Sequence, residues 1–386
     1  MPVEFTSLYV SGYRRLRNVG LSLGPFNVLV GANGVGKSSI LEVFDLLSAS
    51  ASGDLEYTIS QSGGISSLVT QDGSTDSICF ELEKLIKSEP FSKYSLRLSI
   101  RGTGFAISSE TLLQGRLDNE APFQVIEAND TRIRYLDTKK KLPRPVFPNW
   151  EQKPQETALY QVPKMFKEPE AFRHLLASAS IYHILDVTLR APVRLPQPLQ
   201  PADTPGKNGE TLLSCLYALR ENEPSRFESV IDALRAAFPT FEKLDLPLVA
   251  AGQITLRWKD RNFKNPLYPH QLSEGTLRFL WLATLLQSPG LPKVTLIDEP
   301  EVSLHPEMLQ LLTELMREAS SRTQLIVATH SDRFVRFLKP EELVVCDLDE
   351  EGGTSVKRAD ELDLDKWLSD YALDELWSMG RLGGRS

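Results

Sequence analysis

Apolar side chains alternate with polar ones from Glu4 to Val10, through Gly12-Tyr13-Arg14-Arg15-Leu16 and from Val19 to Leu23, so residues 3 to 30 read as strands joined by turns. The next apolar run, Phe26 to Val30, is continuous and stops at a glycine, as a short buried strand would. Past a glycine-rich break the period changes: from Ser39 to Leu47, Ile40, Phe44 and Leu47 recur at helical spacing. Ala51 to Ser77 is rich in Ser, Gly, Thr and Gln, which predicts loops. Alternation returns from Ser77 to Leu82 and from Tyr94 to Ile100, as in half-buried strands. Residues 121 to 170 hold many prolines and charges and predict strands with surface excursions; Pro192 to Pro205 reads as a connector. Helices are expected at Gly209 to Glu221 and Ser225 to Phe238.

From Gln253 the elements follow one another closely. Gln253 to Trp258 reads as a strand, Ser273 to Gln287 as a helix and Lys293 to Asp298 as a buried strand. Pro306 to Ser320 then reads as a helix and Gln324 to Thr329 as a second buried strand. Strands alternating with helices imply a parallel sheet, hence an α/β fold. The strand and helix of residues 26 to 47 belong with that unit, so the fold is expected to be split. Its parts are 1–50, an inserted β-rich and helical lobe at 51–250, the second half at 251–350, and a C-terminal helix and tail at 351–386. The insert carries no sustained heptad repeat, so it is not a long coiled coil.

The break after Val30 is Gly31-Ala32-Asn33-Gly34-Val35-Gly36-Lys37-Ser38-Ser39, which fits G-x-x-x-x-G-K-[ST], the phosphate-cradling P-loop. Chance gives that pattern about once in a hundred chains of this size, and here a strand precedes it and a helix follows. That arrangement aims backbone N–H groups and a helix N-terminus at a polyphosphate. Asn33, Gly34, Val35, Gly36, Lys37, Ser38 and Ser39 are the candidate nucleotide-binding residues. Lys37 would reach the β- and γ-phosphates and the Ser38 hydroxyl would ligate Mg²⁺.

Composition narrows the class. Hydrophobic content of 41% and charged content of 24% are those of a soluble globular protein. No run of about eighteen apolar residues occurs, so no membrane span is expected. Met1 to Thr6 lacks the basic and apolar regions of a secretory signal, and Cys79, Cys215 and Cys346 are far apart without C-x-x-C spacing. Reduced core cysteines in a cytoplasmic protein are expected, and no zinc site. A net charge of −8 excludes a uniformly basic nucleic-acid-binding surface. Local basic patches are left at Lys139-Lys140-Lys141 with Arg144 and at Arg190 with Arg194.

The strand Val294 to Ile297 ends in Asp298-Glu299-Pro300-Glu301, the Walker B pattern. Asp298 would hold the Mg²⁺ shell, and Glu299 is placed to orient and polarise the attacking water. Leu272-Ser273-Glu274-Gly275-Thr276 opens the following helix pattern, with Ser273 a natural N-cap and Glu274 an acid in the first turn. Ser303-Leu304-His305-Pro306 follows Walker B, and Ile326 to Ser331 is a buried strand ending at His330.

Taken in order, these motifs resemble the ABC ATPases, and most of all their RecF/SMC and overcoming-lysogenisation-defect branch. Gly12 to Arg17, Asn33, Asp298 to Glu301 and Leu304-His305-Pro306 carry the likeness. Tyr182-His183-Ile184-Leu185-Asp186 and Asp370 to Trp377 resemble the bacterial AAA_21-like group of ATPases. The resemblance implies a P-loop NTPase of ABC type: a mixed sheet with a parallel core, an antiparallel β subdomain and a helical lobe. It makes Leu272 to Thr276 an altered form of the signature LSGGQ, with Ser273 and Gly275 addressing the γ-phosphate on an opposite subunit. It also makes Ser303 to Pro306 the D-loop and His330 the switch histidine. ATP and Mg²⁺ are then the ligands, Glu299, His330 and Lys37 the catalytic set, and a homodimer bridged by ATP the expected assembly. Engagement of DNA, or of an effector protein such as a nuclease or toxin, would follow, in genome maintenance or anti-phage defence. The alternative is the motor subunit of a membrane transporter, against which the altered signature and the large insert argue. The resemblance leaves two places open. The Q-loop glutamine could be Gln61 or Gln71, and the adenine could meet Tyr13, Arg14 or Arg15, with either arginine reaching a phosphate instead. A C-terminal helix from Trp367 to Trp377 and a mobile tail from Gly380 are also expected.

Overall fold

The computed structural model describes residues 3–85, 91–115, 122–130, 132–137, 144–362 and 372–379. The alternating N-terminal segments pair as a hairpin, β1 (Ser7–Tyr13) with β2 (Leu16–Ser22). The expected first strand, Glu4 to Val10, is thus shifted toward the C-terminus, and Gly12 to Leu16 spans the hairpin turn rather than forming a strand. The chain then leaves this sheet through β3 (Phe26–Val30) and returns to it with β4 (Ser77–Lys84). Next come β5 (Ser92–Arg101), β6 (Gly104–Gln114), β7 (Phe123–Asn129), β8 (Arg132–Asp137) and β9 (Arg144–Val146). Together they make an eight-stranded antiparallel sheet in the order β2-β1-β4-β5-β6-β7-β8-β9.

The second sheet carries the site. Between its strands lie two small ribbons. β11 (Gln197–Pro198) pairs β13 (Gln253–Ile254), and β12 (Phe241–Asp245) pairs β14 (Arg257–Asp260). The expected single strand from Gln253 to Trp258 is therefore broken at Thr255-Leu256, because its two ends pair with different partners. The sheet itself uses β10 (Ser180–Tyr182), β15 (Val294–Asp298), β16 (Gln324–Thr329), β17 (Leu343–Leu348) and β18 (Thr354–Arg358) in the order β10-β15-β16-β3-β17-β18. β18 alone runs antiparallel to its neighbour; the other pairs are parallel. β3 and β16 are buried along their whole length, which explains their unbroken apolar runs.

Helices cover both faces. α1 (Lys37–Ser52) lies between the sheets, and Ile40, Phe44 and Leu47 pack with Leu29, Leu296 and Ile326 and with Val10, Phe80 and Leu96. Burying one such side chain contributes about 1.5–3 kcal/mol. On the far face Val28, Ile297 and Val327 meet α2 (Leu212–Asn222), α3 (Pro224–Ala237), α4 (Glu274–Gln287) and α5 (Pro306–Ala319). Residues 51 to 77, expected as loops, contain helices Leu55–Gln61 and Ile65–Leu68. Leu55 and Ile59, one turn apart, give the first of these its buried stripe, and that stripe suffices where the rest of the segment is polar.

Arg190 and Arg144 are exposed, but Arg194 is not a surface cation. It is 8% exposed and donates to the carbonyls of Val187, Pro269 and Leu272. Leu373–Ser378 is helical and buries Leu373, Leu376 and Trp377. Lys139 to Lys141, Trp367, Tyr371 and the tail from Gly380 lie outside the described residues.

Candidate functional site

The glycine loop is shaped by two left-handed residues, Gly34 (φ +80) and Gly36 (φ +107). A β-carbon on Gly36 would stand 2.4 Å from the Thr354 hydroxyl oxygen, which itself donates to the carbonyl of Val35 at 2.8 Å. Val35 is buried. α1 starts at once with Lys37, and its N-terminus has neither a side-chain cap nor an acid in the first turn. Its first amides are therefore left for a ligand. Lys37 is 7% exposed, and its ammonium donates to the carbonyls of Gly31 and Ala32, both at 2.8 Å. Burial lowers its pKa, and the charges of Glu299, Asp298 and Glu301 oppose that shift.

β15 delivers the acids. Its register sets Ile297 beside Tyr182 of β10 and Asp298 beside Ala328 of β16. The Ser38 hydroxyl donates to Asp298 Oδ1 at 3.3 Å. Glu299 takes a left-handed backbone (φ +50) and donates its amide to the Ala328 carbonyl at 2.9 Å. A non-glycine residue held there costs on the order of 1–3 kcal/mol, a strain typical of functional turns. Its carboxylate Oε1 lies 3.1 Å from His330 Nδ1, at the end of β16. Glu301 holds the same turn from behind: Oε1 accepts from the Thr329 hydroxyl at 2.5 Å and from the His330 amide at 3.3 Å. Burial raises the Glu301 pKa, and its Oε2 is buried without a hydrogen-bond partner among the described residues. Arg14, Arg15, Asn33, Gly34, Gly36, Lys37, Ser38, Ser39 and Glu299 line one open cleft of about 400 Å³.

Ser273 and Gly275 do not line that cleft. Ser273 is exposed as the N-cap of α4, accepting from the Thr276 amide at 3.1 Å. Gly275 lies so close to the loop after Walker B that a β-carbon would meet the Ser303 carbonyl oxygen at 2.5 Å. Arg278, one turn on, donates to Ser303 Oγ at 2.5 Å and to the Leu185 carbonyl at 3.3 Å, so the signature-like turn and the D-loop-like turn form one tied surface.

Of the open candidates, Tyr13 is removed as a stacking ring: it is fully buried and donates its hydroxyl to Glu42 at 2.9 Å. Arg14 lies 3.0 Å from Glu42 in an ion pair, and Arg15 donates to the Gly352 carbonyl at 3.2 Å. Gln71 donates to the Val69 carbonyl at 3.1 Å, and Gln61 is exposed at the end of its helix. Neither glutamine lines the P-loop cleft. Two residues beside the cleft were named in the sequence without a role. Glu301 stood in the Walker B motif without a role. His183 follows β10 and reaches 3.7 Å from Asp298 Oδ2, and the carboxylate beside it raises its pKa. The signal for His183 is its place just after a short apolar segment, which becomes informative only once that segment is known to pair with β15.

Residues 26–336 match the AAA_21 family, described as "AAA domain, putative AbiEii toxin, Type IV TA system". No curated protein sequence matches the chain. Among solved structures it is similar to an SmcHead bound to the C-winged helix domain of ScpA, at 14% identity and TM-score 0.54, covering 95% of this chain and 99% of that one. An SMC head domain from Thermotoga maritima matches at 14% identity and TM-score 0.44 over 92% of this chain and 99% of that one. The fold likeness rests on the first of these and agrees with the parallel core, the antiparallel β subdomain and the helical lobe. With a family match spanning most of its length, the chain belongs to the AAA_21 family, and it has the P-loop fold of an SMC head.

Proposed function

We propose that this chain hydrolyses ATP at the cleft over the glycine loop and that the site is completed by a second copy of the chain. One observation carries the reading: the Glu299 carboxylate lines the same cleft as Lys37 and is held 3.1 Å from His330 Nδ1. Lys37 and the loop amides would neutralise the β- and γ-phosphates. Glu299 accepts the proton of the attacking water, or orients that water in line with the leaving oxygen, while His330 steadies the γ-phosphate and keeps Glu299 in register. The donor set also fits a divalent cation, since a hydroxyl and a carboxylate oxygen stand together at Ser38 and Asp298. Mg²⁺ held there would supply positive charge to the phosphates. Ser273 and Gly275 support the second part of the reading, because they are set away from the chain's own cleft on an exposed helix N-terminus. Two copies related by a twofold axis would each offer Ser273 to the other's nucleotide.

The output we propose is engagement of an effector protein such as a nuclease or toxin, or of DNA, in the cytoplasm. The family description names a toxin and a toxin–antitoxin system, and the similar SmcHead was solved with a domain of a partner protein. The burial of Arg194 removes one of the basic patches that would favour DNA. Sedimentation of Glu299→Gln tests the assembly. With Mg²⁺ and ATP the variant should sediment at twice its nucleotide-free mass. A monomer mass in both conditions contradicts an ATP-driven dimer.

A further inference from the structure

Asp298 presents its two carboxylate oxygens to two different side chains. Oδ1 accepts from Ser38, and Oδ2 faces His183 Nδ1 at 3.7 Å. The backbone imposes this meeting: the parallel pairing of β10 with β15 sets Tyr182 against Ile297, so His183 and Asp298 leave adjacent strand ends side by side. The segment after His183 is held, because Arg278 binds the Leu185 carbonyl and ties it to Ser303. The imidazole itself is not enclosed. Its side chain is 63% exposed, and 3.7 Å is too long for a direct hydrogen bond. An imidazole nitrogen and a carboxylate oxygen, set apart by that distance and flanked by a hydroxyl, are spaced as donors around one ion rather than as a closed pair.

We propose that His183 is a third protein group at the divalent-cation site, contributing an imidazole nitrogen beside the Asp298 carboxylate and the Ser38 hydroxyl. This rests on the reading of the cleft as a metal–ATP site. A nitrogen donor is softer than the oxygens that Mg²⁺ prefers, and affinity for nitrogen-containing sites rises along the first-row divalent series. The site therefore discriminates less against Mn²⁺ than an all-oxygen site does.

The test is pulsed electron paramagnetic resonance of the whole chain loaded with Mn²⁺ and β,γ-methylene-ATP, an analogue without a bridging nitrogen. Binding is followed in parallel by displacement of a fluorescent nucleotide. Wild type should show nitrogen modulation from a bound histidine, and labelling the histidines with ¹⁵N should change its frequency. His183→Ala and His183→Gln should still bind the nucleotide, lose that modulation, and bind Mn²⁺ at least about tenfold more weakly. His330→Ala should keep the modulation. Nucleotide binding without nitrogen modulation in wild type, or modulation that persists in His183→Ala, overturns the assignment of His183 while leaving the ATP site standing. Failure of wild type to bind the manganese nucleotide at all overturns both.

Discussion

Gly36 stands at φ +107 against Thr354, where a methyl group would come within 2.4 Å of the hydroxyl oxygen. Both the backbone angle and the neighbour exclude a side chain, so Gly36→Ala should lower stability by about 1–3 kcal/mol. It should also abolish nucleotide binding, because the loop can no longer turn into α1 with its amides inward. Thermal unfolding together with fluorescent-nucleotide anisotropy measures both effects. An alanine variant that melts and binds like wild type would show that the loop is not shaped by this residue. Much of the site at this scale was legible because the chemistry is contiguous: Gly31 to Ser39 and Asp298-Glu299 are read in single glances, and His330 by its place at a buried strand end. His183 was not, because its relation to Asp298 is a register between strands far apart in the chain. Tyr13 was left open beside Arg14 and Arg15 for a related reason. Burial against α1 turns its hydroxyl to Glu42, and a single sequence does not display that neighbour.

At the scale of elements, the antiparallel sheet is locked to the helices beside α1 through one buried acid. Glu110 of β6 is fully buried, accepts from the Tyr94 hydroxyl at 2.9 Å and from the amides of Leu159 and Ala158 at the start of the helix Ala158–Gln161. Burial pushes its pKa up from 4.5 to about 7, with the backbone amides opposing the shift. The folded state therefore keeps a proton that the unfolded chain releases near pH 4.5. Stability from this group is present below that value, falls as pH rises toward 7, and is then flat. Glu110→Gln removes the titration. Relative to wild type, the variant should gain on the order of 3 kcal/mol between those two pH values, read from denaturant melts at a series of pH values. Parallel curves for the two proteins would contradict the burial argument. The strands that embed this acid were partly legible: β4 and β5 alternate clearly, whereas the helices Leu55–Gln61 and Ile65–Leu68 hid in a segment whose polar composition masks a two-residue stripe. The buried runs of β3 and β16 were read to the residue, since strands covered on both faces have no polar positions to blur their ends.

For the whole molecule, the two sheets clasp α1 and leave the ends of β15, β16 and the glycine loop on one open edge. The exposed turn at Ser273, tied through Arg278 to Ser303, does not line that cleft. A single chain thus holds the phosphate cradle and the signature-like turn apart, and the account requires a second chain to bring them together. Mixing two inactive variants tests this most directly. Glu299→Gln lacks the carboxylate but keeps Ser273, and Ser273→Arg keeps its own Lys37 and Glu299. Combined in equal amounts before ATP is added, the pair should recover about a quarter of the wild-type hydrolysis rate, the share of intact sites left by random pairing in a twofold dimer. A mixture that hydrolyses ATP no faster than the mean of the two variants alone contradicts completion of the site between chains.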